Sequence, residues 1–142
     1  MEEPFTVTIG HGGAFLRLSR GDAGPGDFGG RALWSLTVEV EDEGLKARTS
    51  VLLGPDRVEP PLSELFDEIA ASWRGWHGTK DWDGMEGGLT LSCTHDGPGH
   101  IAINVELRHL SGAGWVVRTV VRVDAGQLDE IAAEVRRLLA VA

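Results

Sequence analysis

The sequence predicts an α+β fold: a mostly antiparallel, curved β-sheet of about seven strands in the order ββββαβββα, with two helices packed on one face. Three observations carry this. Short segments alternate apolar and polar residues with period two, and two longer ones repeat apolar residues at i, i+3, i+4 and i+7. The connections between most strands are too short for parallel crossovers, so neighbours pair antiparallel.

In chain order, residues 5–9 place Phe5, Val7 and Ile9 on one face, and residues 15–18 follow after a glycine-rich turn as the second arm of a hairpin. Residues 20–32 hold five glycines and a proline within R-G-D-A-G-P-G-D-F-G-G and read as a flexible loop. Gly24, Gly26 and Gly29 match G-x-G-x-x-G, yet a strand follows where a dinucleotide fingerprint needs a helix, and Arg20-Gly21-Asp22 reads as a polar turn. Residues 33–41 and 45–53 form a hairpin about an acidic turn, with 40 opposite 45, 38 opposite 47 and 36 opposite 49.

Pro60-Pro61 introduces a helix whose stripe is Leu62, Leu65, Phe66, Ile69, Trp73 and Trp76, ended by Gly78, so both tryptophans are expected on the helix tip against the sheet. Residues 89–95 and 100–108 form a hairpin in which parity pairs His95 with Ile101, Cys93 with Ile103 and Leu91 with Val105. The same rule pairs Leu107 with Trp115 and adds a strand over 115–123. Asp124 and Gln127 form a capping box for a last helix with the stripe Leu128, Ile131, Ala132, Val135, Leu138 and Leu139. The open sheet face then carries Glu39, Lys46, Arg48, Asn104, Glu106, Arg108, Arg118 and Arg122, as a solvated face or a docking surface does.

The 142 residues make a single domain, 1–142, able to fold alone or as a homo-oligomer. The net charge of −9 falls as −7 on residues 1–71 and −2 on 72–142, which repels nucleic acid and favours a basic protein partner. No apolar run approaches the roughly 18 residues that span a bilayer, so no membrane role is expected. A lone cysteine and an acidic N-terminus without signal-peptide character point to the cytoplasm.

Residues 73–100 concentrate three of the five tryptophans, three of the five histidines, the one cysteine and seven glycines. Candidate binding residues are Trp73, Arg74, Trp76, His77, Lys80, Trp82, His95, Asp96 and His100; tryptophan and arginine dominate contact sites, although large rings also fill cores. His95, Asp96 and His100, with His77 and His109 as additional ligands, could hold zinc with an open position, but H-D-x3-H is no established ligand spacing, and a turn built by Asp96 and its glycines accounts for them. Cys93 lies on the apolar face and reads as a buried small hydrophobe rather than a nucleophile. Neither a catalytic residue, a metal site nor a cofactor is assigned.

Taken together, W-R-G-W-H-G-T-K-D-W, E-G-G-L-T-L and H-D-G-P-G-H resemble a family of small uncharacterised bacterial proteins, a domain of unknown function, over roughly residues 33–140. That resemblance implies no activity. Size, charge and fold class also resemble those of toxin-neutralising immunity proteins. The expectation is a non-enzymatic cytoplasmic protein-binding domain; the alternative is a small-molecule-binding or metal-dependent enzyme centred on His77, Asp96 and His100.

Overall fold

A computed structural model of the protein describes residues 5–10, 12–28, 31–53, 61–84, 88–109, 112 and 114–139. The fold is α+β, with eight strands where about seven are expected, arranged as two four-stranded antiparallel sheets rather than one. The first sheet has the order β1 (Thr6–Ile9), β2 (Phe15–Phe28), β3 (Arg31–Asp42) and β4 (Leu45–Leu53). The second has the order β5 (Lys80–Asp83), β6 (Leu89–His95), β7 (His100–His109) and β8 (Trp115–Asp124). Helix α1 spans Leu62–Ala71 and α2 spans Leu128–Leu139.

Both sheets bury one face, and alternation sets which. Val7, Ile9, Leu16, Leu18, Leu36, Val38 and Val40 of the first sheet join Leu91, Ile101, Ile103, Val105 and Leu107 of the second in one core. At one end the sheets meet directly: the Thr119 hydroxyl donates to Asp42 at 2.8 Å, and Thr49 is hydrogen-bonded to His109 at 2.9 Å. Elsewhere the helices fill the space, α1 against α2 and β5, α2 against β1. Their buried stripes are Leu62, Leu65, Phe66 and Ile69 in α1, and Leu128, Ile131, Ala132, Val135 and Leu138 in α2. The capping box is present, the Asp124 amide donating to Gln127 at 3.0 Å through a single 3-10 turn before α2.

Three expectations are corrected. The glycine-rich stretch 20–32 is not a loop over most of its length, since Phe28 pairs with Arg31, Asp27 with Ala32 and Gly26 with Leu33. The register breaks between Arg20 and Pro25, past the pairing of β1 with Leu16–Ser19. Composition gave no sign of this, because the alternation that marks a strand is missing where glycines stand. The β3–β4 hairpin is tighter than expected: Val40 pairs with Ala47, Val38 with Thr49 and Leu36 with Val51, around Glu43 and Gly44, the latter at φ 74°. The same two-residue slip pairs Leu107 with Val117 instead of Trp115. Both slips preserve which face is buried, so hydrophobic pattern alone could not exclude them. By contrast the β6–β7 register is as expected, with Leu91 opposite Val105 and Cys93 opposite Ile103.

The third correction matters most for the site. Helix α1 ends at Ala71, with the Ser72 amide donating to the Glu68 carbonyl, and Trp73 and Trp76 lie beyond it. Gly75 at φ 136° and Gly78 at φ 76° adopt conformations that other residues avoid, so the chain leaves the helix and bends. The stripe from Leu62 to Trp76 keeps helical spacing past the helix itself.

Candidate functional site

The bend after α1 lies against the β6–β7 turn. The His95 ring joins them. Its Nδ1 accepts from the Gly97 amide at 3.0 Å, which leaves Nε2 to carry the proton that it donates to the Trp73 carbonyl at 3.0 Å. The neutral Nε2–H tautomer is thereby fixed by two backbone groups, one on each side. Trp76 meets His95 edge to face, with centroids 5.2 Å apart, and its indole N–H donates to the Cys93 carbonyl at 3.3 Å. A side chain at Gly75 would also lie against the His95 ring, 3.5 Å from Nδ1.

The turn itself is built by Asp96. Its Oδ1 accepts from the His100 amide at 3.0 Å, its Oδ2 lies 3.1 Å from His100 Nδ1, and its own amide donates to the His100 carbonyl at 3.0 Å. The far side of the His100 ring faces Asp124, with Nε2 3.7 Å from the carboxylate, and the Ala125 amide donates to Gly99. His100 therefore ties the turn to the start of α2.

An open depression of about 480 Å³ lies between bend and turn, lined by Arg74, Gly75, Trp76, His77, His95, Asp96 and Gly97. Five of the nine residues singled out in the sequence thus share one surface. The other four do not line it. Trp73 is 50% exposed beneath the Arg74 guanidinium, which sits 5.1 Å from the ring centroid. Lys80 reaches Glu68 at 2.9 Å while its Nζ lies 5.6 Å from the Trp76 ring centre. Trp82 points inward from β5, only 4% exposed, as part of the core. His100 is engaged with the two carboxylates.

Of the titratable side chains lining the depression, His95 and Asp96 are engaged in hydrogen bonds and His77 is exposed. Among the described residues no three His, Cys, Asp or Glu side chains are placed to hold a metal ion. Cys93 is buried, and burial, then the charge of Asp81, push its thiol up to about 12. The native protein is therefore expected to react with a thiol reagent at least about a hundredfold more slowly near pH 8 than the unfolded chain. Equal rates in native and denaturing buffer would contradict that burial.

Sequence reasoning missed Asp81, Ser92 and Thr79. Asp81 accepts from the Ser92 hydroxyl at 2.6 Å and from Thr79 at 3.0 Å, pinning β5 to the sheet edge. The signal was D-W-D, an alternation of three residues too short to mark a strand. No described helix is long and apolar enough to cross a membrane. Compared with known proteins, residues 9–142 match the model of a family described only as being of unknown function. No curated protein and no solved structure matches the chain.

Proposed function

The chain belongs to DUF6228, a family of unknown function, and from that premise we propose that it is a non-enzymatic cytoplasmic domain that binds another protein through the bend after α1. The observation that carries this is the pairing of a half-exposed Trp73 with the Arg74 guanidinium beside an open depression. Tryptophan and arginine are the residues that most often anchor protein contacts, and here the bend holds them on a backbone already fixed by His95. Three of the groups that could do chemistry are committed elsewhere, His95 to two backbone groups, Asp96 to its turn and Cys93 to the core. The net charge of −9 would steer a basic partner. Neutralising a basic toxin, in the manner of immunity proteins, is one form such binding would take.

Affinity capture from native lysate tests this with the wild-type protein, Trp73→Ala and Arg74→Ala side by side. The expected result is a basic protein retained by wild type, retained about tenfold less by Trp73→Ala, and released by raised salt. Capture of nothing, or of the same proteins by wild type and Trp73→Ala, would contradict the proposal. A second possibility, a small-molecule ligand in the same depression, is favoured by Arg74, His77 and Trp76 in its wall. A ligand-induced rise in melting temperature that His77→Ala abolishes would favour that alternative.

A further inference from the structure

The outward face of the second sheet is graded in charge from one edge to the other. Register aligns Asp83 with Thr90, Glu106 and Arg118 in one row, and Asp81 with Ser92, Asn104 and Val120 in the next. Strand β5 thus brings two carboxylates to one edge, and the opposite edge, β8, brings Arg118 and Arg122. Glu106 lies between, hydrogen-bonded to Arg118 at 2.7 Å and Arg108 at 3.3 Å, so the two arginines on this part of the face exceed its charge. Between the edges the side chains are small and polar, and a depression of about 330 Å³ runs over Thr90, Ser92 and Asn104.

We propose that this face is the interface of a homodimer in which a second copy lies face to face across a twofold axis parallel to the strands. That axis carries each strand to the opposite side of the sheet, so β5 of one copy faces β8 of the other. Asp83 then meets Arg118 of the partner copy, twice by symmetry, and Thr90 meets Glu106. A twofold perpendicular to the strands would instead set carboxylate against carboxylate, and the face is self-complementary in the first arrangement alone. Stacked sheets lie about 10 Å apart, a gap that an aspartate and an arginine together bridge, and the small residues of β6 leave room for that approach. Four strands present on the order of 500 Å² per copy, the small end of specific interfaces, and the net charge of −9 on each copy opposes association. The dimer is therefore weak, with a dissociation constant on the order of 10–100 µM.

The twofold axis makes the test decisive. Sedimentation of the full chain at physiological ionic strength is expected to show reversible dimerisation for wild type, and at least about tenfold weaker association for Asp83→Arg or Arg118→Asp alone. An equimolar mixture of the two variants is expected to dimerise about as well as wild type, because in the mixed dimer both contacts regain opposite charges. That rescue also shows both variants to be folded. Wild type remaining monomeric to about 500 µM, or a mixture no better than its components, would overturn the proposal.

Discussion

Trp82→Ala is expected to lower the free energy of unfolding by about 3–5 kcal/mol, a shift of about 10 °C or more in melting temperature for a domain of this size. The ring comes from a four-residue strand, Lys80–Asp83, at the sheet edge, yet it is 4% exposed and belongs to the common core. Truncation leaves a cavity bounded by a β-sheet and close-packed helices, which cannot collapse without disturbing the pairing of Trp82 with Leu91. Its far edge is also tightly enclosed, because even a Cβ at Gly84 would come within 3.3 Å of it. Equilibrium denaturation with urea measures the loss, and a change below about 1 kcal/mol would show that the ring is not core. Trp73→Ala, by contrast, is expected to fall within about 0.5 kcal/mol of wild type, which is what allows it to report on binding alone.

His95→Ala is expected to cost about 2–3 kcal/mol, unusually much for a half-buried residue at the end of a strand. Two hydrogen bonds to backbone are lost, each contributing about 1 kcal/mol, together with the edge contact to Trp76. The bend would lose its tie to the β6–β7 turn, and Trp73 and Arg74 their fixed presentation. His77→Ala removes an imidazole of the same depression that is exposed, and should change stability by no more than about 0.5 kcal/mol. Equal costs for the two histidines in the same urea titration would refute the assignment of an architectural role to His95.

Much of this molecule was readable before any coordinates. Faces were readable because burial follows parity: Leu91, Cys93 and Ile103 are buried as alternation requires, and the first stripe as far as Ile69 and the second from Leu128 to Leu138 face the core. Parity alone left every register open to a two-residue slip, and of the three hairpins read this way β6–β7 has the expected pairing. For β3–β4 and β7–β8 a two-residue slip keeps every apolar side chain inside, and at β3–β4 the two-residue turn of Glu43 and Gly44 sets the register. The division into two sheets was hidden for a different reason, since β5 offers just one buried residue to the pattern. In the candidate site, the concentration of tryptophan, histidine and glycine marked the stretch that forms the bend and the β6–β7 turn. The sequence could not reveal that α1 would end at Ala71 and the chain then bend through Gly75 and Gly78, with Trp73 exposed and Trp76 turned inward. Nor could it show that the histidines differ: His95 bonded to backbone on both sides, His100 between two carboxylates and His77 on the rim.

That the bend is architecture presenting a contact surface, rather than a reactive centre, depends above all on the state of one imidazole. Nitrogen-15 NMR of the histidine rings measures it directly. The structure requires the proton of His95 on Nε2, with Nδ1 bare and accepting from Gly97, and a pattern unchanged by added zinc. A proton on Nδ1, a mixture of tautomers in rapid exchange, or a zinc-dependent shift of either nitrogen would mean that the ring is available for chemistry and would contradict the account.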